Sequence, residues 1–286
     1  MSGITWLASY PKSGNTWFRI FLTNLLQNSD RPADINNLHV QSIKDTLRQM
    51  NDALKLDERN IPEDEFQRLR SEIYQQWADD AQDPLFIKMH DANILHPTGA
   101  PLIPPDATNK VIYLARNPLD VAPSFANHNK TPVDQTIFNM ANPDFSITVH
   151  DQLTGQLLRQ PLLTWSDHVE SWLDDPELDV LLLRFEDLKA DPETFFKRAV
   201  QFLGLPFSDD EVEKAVAFSH FDRVKEQEQE RGFRERLTQC DSFFNQGQAG
   251  SWENKLTVDQ ARQIVDQHGC VMKRLGYNVP ELPDSD

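Results

Sequence analysis

Apolar residues fall along this chain in two rhythms. Short, nearly unbroken runs at 4–8, 85–89, 111–115 and 180–183 are bounded by polar or turn residues, as buried strands are. Between them the apolar positions recur at helical spacing. Residues 15–27 carry Trp17, Ile20, Phe21, Leu22 and Leu25 on one wide face. Further helices are predicted over 40–54, 62–79, 119–127, 191–203 and 209–218. Strands alternating with helices predict an α/β fold, read as a single domain over 1–286 with a central parallel sheet flanked by helices.

Three stretches break the alternation. Residues 30–83 are polar and helix-like, which predicts a helical insertion or lid. Residues 128–160 contain Pro132, Pro143 and Gly155 with little periodicity, which predicts an irregular, variable loop covering an acceptor. Residues 280–286 read as a tail, and the charged stretch 226–236 as a solvated helix.

Charge then narrows the function. Forty-five acidic against 28 basic residues give a formal net charge of −17. That balance argues against a nucleic-acid partner or an anionic membrane surface, so any anionic ligand must be held by local cations. The two cysteines, Cys240 and Cys270, form neither a zinc pattern nor a disulfide framework. No apolar stretch approaches the ~18 residues that span a bilayer, and the chain opens directly into a strand. A soluble, cytoplasmic protein is expected, as monomer or homodimer.

The first strand leads into Tyr10-Pro11-Lys12-Ser13-Gly14-Asn15-Thr16-Trp17. A tight turn before a helix aims the free N–H groups of the first helical turn at one spot, which suits phosphate. Lys12 adds a charge, Ser13 and Thr16 add hydroxyls, and Gly14 permits close approach of the backbone. A Walker loop differs, since here the lysine precedes the only glycine. At the second strand's end stands Lys88-Met89-His90, where alternation puts Lys88 and His90 on one side and His90 is a candidate general base. After the third strand comes Arg116-Asn117-Pro118, with Ser124 eight residues beyond the arginine; the pair suits a phosphate monoester.

Taken in order, these segments closely resemble the sulfotransferases that use 3′-phosphoadenosine 5′-phosphosulfate. The resemblance implies that Lys12, Ser13, Gly14, Asn15 and Thr16 bind the 5′-phosphosulfate and that Arg116 and Ser124 bind the 3′-phosphate. It implies that Trp17 and Phe221 stack on the adenine, with Phe185 standing where relatives carry tyrosine. It also implies that Lys12, Lys88 and His90 are catalytic, His90 acting as base toward a hydroxyl or amine of a small-molecule acceptor. Residues 245–254 resemble a further phosphate-binding segment that includes Gln246 and Gly247, but Asn245 and Gln246 replace two basic residues. Arg231, Arg234 and Arg236 lie shortly upstream of that gap. The products would be the sulfated acceptor and adenosine 3′,5′-bisphosphate, with no metal. The opening Ala8-Ser9-Tyr10-Pro11-Lys12 is shared with bacterial natural-product tailoring enzymes. Two other readings stay open: a P-loop-type small-molecule kinase needing ATP and Mg²⁺, which leaves Lys88-Met89-His90 without a role, and a degenerate, non-catalytic nucleotide-binding relative.

Overall fold

Ile4, Trp6, Leu7 and Ala8 have no exposed surface, and the segment they dominate forms strand β1, Ile4–Ser9. The computed structural model describes residues 3–54, 63–96, 98–150, 157–237, 242–244 and 247–282. Strand β1 belongs to a four-stranded sheet with β2 (Leu85–Met89), β3 (Thr108–Ala115) and β6 (Val180–Arg184), in the order β2-β1-β3-β6. β1 and β2 are parallel, with Ile4 facing Leu85 and Ala8 facing Met89. The expected α/β class, with a central parallel sheet and flanking helices, is the architecture found. Among the described residues no helix is long and apolar enough to cross a membrane.

The chain forms two compact units, each assembled from three stretches. The first unit takes Met1–Tyr10, Val40–Tyr113 and Pro143–Leu182. Its helices are α2 (Ile43–Leu54) and α3 (Glu63–Asp80) from the polar stretch, and a later helix at Trp165–Leu173. Trp6 meets Tyr74 of α3 edge to face at 4.8 Å and donates its indole N–H to the Thr108 hydroxyl at 2.9 Å. Arg70 of α3 is buried and clasps both carboxylate oxygens of buried Asp91, at 2.9 and 3.1 Å. Removing one partner would strand a charge in the core, which costs about 3–5 kcal/mol.

The second unit takes Pro11–His39, Leu114–Asn142 and Leu183–Asp286. Helix α1 (Asn15–Gln27) buries most of its circumference, including Arg19, whose guanidinium takes both oxygens of Glu235 at 2.8 and 3.0 Å. Helices α4 (Pro118–Asn129) and α5 (Val133–Met140) follow. With α6 assigned to Trp165–Leu173, the rest are α7 (Phe185–Ala190), α8 (Pro192–Leu203), α9 (Asp209–Phe218), α10 (Phe221–Arg231) and α11 (Val258–Arg274). Phe21 of α1 stacks on Phe196 of α8 at 4.0 Å, joining two helices that enclose the unit's aromatic core. Ser208 and Thr257 form capping boxes that start α9 and α11.

The stretch 128–160 is more regular than expected. It contains α5 and an antiparallel hairpin of β4 (Ser146–His150) and β5 (Leu157–Pro161), with Ile147 facing Gln160. Elements of eight and five residues, set between Pro132, Pro143 and Gly155, are too short to print a period on the sequence. The charged helix expected at 226–236 is α10, which begins earlier at Phe221 and ends before Gly232, whose φ is 72°. In the tail, residues 283–286 lie outside the described residues.

Candidate functional site

The loop Tyr10–Gly14 joins β1 to α1 through two left-handed residues, Lys12 at φ 69° and Gly14 at φ 98°. For lysine that conformation costs roughly 1–2 kcal/mol, a strain kept where the loop's shape matters. Gly14 is required twice over, because a Cβ there would also stand 2.9 Å from the Phe185 ring. As N-cap of α1, Gly14 brings no side-chain oxygen to the helix start, and the first turn holds no acidic residue. The positive end of the helix is therefore not neutralised by a cap or a carboxylate. Asn15 and Thr16 are buried at this start, and Trp17 is half-buried with its indole N–H donated to the Ser219 carbonyl at 2.9 Å. Ser13 is wholly buried and its hydroxyl has no hydrogen-bond partner among the described residues.

Arg116, directly after β3, is also buried. Its two terminal nitrogens donate to the carbonyls of Lys12 at 3.3 Å and Gln248 at 2.9 Å, while the guanidinium lies 4.4 Å over the Phe185 ring. Its Nε has no hydrogen-bond partner among the described residues. Burial pulls the guanidinium pKa down, and Asp120 and Glu186 oppose that pull. Asp120 accepts from the Gly250 and Trp252 amides at 2.7 and 3.0 Å and from the Ser251 hydroxyl at 3.2 Å, fastening the late glycine loop to α4. In that loop Gly247 sits at φ 57° against the Phe221 ring, 2.5 Å from where a Cβ would lie. Ser124 is half-buried on α4. Gln246 and Asn245 lie outside the described residues.

The Lys12 ammonium stands 4.3 Å over the Phe243 ring. Glu228, buried on α10, accepts the Phe243 and Phe244 amides at 2.7 and 3.0 Å and the Ser242 hydroxyl at 2.8 Å, so a core carboxylate sets the ring beneath the lysine.

Two cations that sequence reasoning missed belong to the same unit. Lys189, one helical turn after Phe185 on α7, lies 5.5 Å from the Trp17 ring and 5.6 Å from the Phe221 ring. Lys255 donates to the Ser251 hydroxyl at 3.1 Å. Burial lowers both ammonium pKa values and the Arg116 charge lowers them further, although Asp222 and Asp120 respectively raise them. Of the arginines upstream of the basic gap, Arg234 directs its guanidinium to the Asn36 carbonyl at 3.4 Å. The signal for Lys189 was its i, i+4 spacing from Phe185.

In the first unit, Lys88 and His90 are half-buried and Met89 between them is buried, as alternation predicts. The His90 Nδ1 lies 2.8 Å from the Ser9 carbonyl and 3.3 Å from the Ser9 hydroxyl. A carbonyl only accepts, so this bond assigns the proton of the neutral ring to Nδ1 and leaves Nε2 as the basic nitrogen. The His90 carbonyl accepts from Nε2 of His168 at 3.0 Å, and Nδ1 of His168 accepts from the Tyr113 hydroxyl at 2.7 Å. Wholly buried, His168 has its pKa lowered to about 4 by desolvation and stays neutral. The Asp91 carbonyl accepts the Trp172 indole N–H at 3.1 Å, and its carboxylate holds Arg70. His168 and its partners were not visible in the sequence, because nothing local marks a histidine on α6 as a neighbour of His90.

The structure thus brings Lys12, Ser13, Gly14, Trp17, Arg116, Phe185, Phe221 and Gly247 together in one unit, and places Lys88 and His90 in the other. The second-unit groups fit a nucleotide bearing phosphates: among the described residues a buried hydroxyl and a buried guanidinium nitrogen lack partners beside a glycine-capped helix start. Among the described residues no group of three or more His, Cys, Asp or Glu is arranged to hold a metal ion.

The family model described as the sulfotransferase domain matches residues 4–276. Sulfotransferase 2A6 of Rattus norvegicus is 34% identical over 158 residues, 53% of this chain and 52% of that protein, so the match spans about half of that relative. Cytosolic sulfotransferase 16 of Arabidopsis thaliana is 28% identical over 278 residues, covering 90% of this chain and 72% of that protein. Mouse sulfotransferase SULT7A1, solved in complex with PAP, superposes with a TM-score of 0.57 at 18% identity, over 96% of this chain and 88% of that one. Retinol dehydratase, solved with androsterone and PAP, gives 0.58 at 18% identity, over 97% and 82%. At that identity the likeness is one of fold.

Proposed function

Because the chain belongs to the sulfotransferase domain family, we propose that it moves a sulfuryl group from 3′-phosphoadenosine 5′-phosphosulfate to a hydroxyl or amine of a small molecule. The observation that carries this reading is the buried Ser13 hydroxyl, without a partner among the described residues at the glycine-capped start of α1. Such a donor is expensive to bury unless a ligand oxygen accepts from it. When bound, the phosphosulfate supplies the activated sulfuryl group and leaves as adenosine 3′,5′-bisphosphate.

The residues divide the work by chemistry. Backbone amides after Lys12, with Ser13 and Thr16, hold the 5′-phosphate. Arg116 and Ser124 hold the 3′-phosphate, with Lys189 and Lys255 supplying positive charge that Asn245 and Gln246 do not. Trp17 and Phe221 flank the base, and Phe185 buttresses Gly14 and Arg116. His90 takes the acceptor's proton at Nε2 as the acceptor's oxygen or nitrogen bonds to sulfur. Lys12 and Lys88 stabilise the electron pair that passes to the phosphate oxygen as its bond to sulfur breaks. The working compartment is the cytoplasm.

The test is calorimetric titration with adenosine 3′,5′-bisphosphate and, separately, ATP with Mg²⁺. Micromolar or tighter binding of the bisphosphate is expected. Preference for ATP would replace this reading with a kinase, and binding of neither with a non-catalytic relative.

A further inference from the structure

Two carboxamides of the first unit are buried with no hydrogen-bond partner among the described residues. Gln160 on β5 has no exposed surface, Asn51 on α2 is 2% exposed, and neither the oxygen nor the nitrogen of either side chain has a hydrogen-bond partner among the described residues. Folded proteins hold few such groups, since each gives up its bonds to water without replacement. Four unsatisfied amide atoms in one unit therefore need a reason.

Their placement supplies one. The carbonyl of Pro161, next to Gln160, accepts the Ala92 amide at 2.7 Å, two residues beyond His90. Along β5, Leu157 and Arg159 face outward while Leu158 and Gln160 are buried, so the amide is on the inward face of the strand that braces the His90 segment. Helix α2, which carries Asn51, packs on β4, and β4 pairs Ile147 with Gln160. Gln160 thus comes from the stretch 128–160 expected to cover an acceptor, and Asn51 from the helical insertion or lid expected at 30–83.

We propose that Gln160 and Asn51 read the acceptor, and that the acceptor carries a second hydroxyl, carbonyl or amide close to the group that reacts. This rests on the sulfotransferase reading and narrows it to polyhydroxylated or amide-bearing small molecules, as opposed to bare phenols or sterols. A carboxamide offers two donors and an acceptor, so it pairs with a hydroxyl or with another amide. A site built to hydrogen-bond a group discriminates strongly against an analogue that lacks it.

The variants Gln160→Met and Asn51→Leu remove the amides at nearly constant volume. In the free protein each is expected to raise Tm by about 2–4 °C, because an unsatisfied polar group leaves the core. With phosphosulfate as donor, N-acetyltyrosine amide and methyl glucoside serve as polar probes and 2-naphthol as the bare one. Gln160→Met is expected to lower kcat/KM about tenfold on a polar probe and to leave 2-naphthol within about twofold. A fall in Tm for both variants, or an equal change on every probe, overturns the proposal by showing that the amides serve the fold. Should turnover of all probes be too slow to compare, the Tm shifts decide. Failure of the sulfotransferase reading shows separately, as absent bisphosphate binding by the unmutated protein.

Discussion

His90 in the first unit is held at its ring by Ser9, at its carbonyl by His168, and through Asp91 by Trp172 and Arg70. In the second unit, by contrast, Ser13 Oγ and Arg116 Nε have no partner among the described residues, and α1 begins without a side-chain cap. The difference follows from the two tasks. A base works through one nitrogen in one tautomer, so its surroundings must be saturated and rigid. An anion receiver works through donors that the protein has not already used, so its surroundings must be incomplete. Saturation marks the groups that are positioned; incompleteness marks the groups that bind.

The contrast can be broken from either side, and the largest effect is expected at His90. His90→Ala should lower kcat by about 10²–10⁴-fold, the usual worth of a positioned general base, while calorimetry finds bisphosphate affinity nearly unchanged. Equal loss of both would place His90 among the binding groups.

Next comes His168, whose pKa falls from the ordinary 6.5 to about 4 on burial. The unfolded chain takes up this proton from pH 6.5 downward and the folded chain resists it until about 4. Stability from this group is therefore complete above 6.5 and is lost as pH falls through that window, by roughly 3 kcal/mol. Denaturant titrations at pH 7, 5.5 and 4.5 measure it, and a His168→Phe variant should lose that part of the slope.

Lys12→Ala and Arg116→Ala are expected to weaken bisphosphate binding about 10- to 100-fold each, as loss of a charge-assisted contact does, with Tm little altered for Lys12. Arg116→Lys should not restore affinity, because the guanidinium fork bridges the Lys12 and Gln248 carbonyls and lies flat over Phe185. The smallest effect belongs to Lys189→Met, about 3- to 10-fold on the same titration and less at high salt, since the ammonium is only partly shielded from solvent.

Much of this was legible in the residues themselves. The β1–loop–α1 unit is written locally, by an apolar run, a Pro-Lys-Ser-Gly turn and a helical stripe. Lys88 and His90 share a side because strands alternate. The hairpin β4–β5 and the true start of α10 were not legible, because five-residue strands and a helix whose only apolar residues are Phe221 and Val224 carry almost no period. Nor were the braces. Asp120 acts on Gly250–Trp252, 130 residues on, and Glu228 acts through Phe243, so their roles exist only once the chain has closed. Local chemistry announces the groups that touch a ligand, and long-range topology supplies those that hold them.

The interleaving of the two units has a consequence for synthesis. All three stretches of the first unit have been translated once Leu182 has been made, whereas the second still lacks everything from Leu183 onward. Lys12 and Gly14 are made early in this order, yet Phe185 against Gly14, Phe243 beneath Lys12 and the Gln248 carbonyl that anchors Arg116 all follow Leu182. Of the groups at Lys12, Arg116 is translated before Leu183 and Phe243 after it, so the loop gains its full set of contacts only late in synthesis.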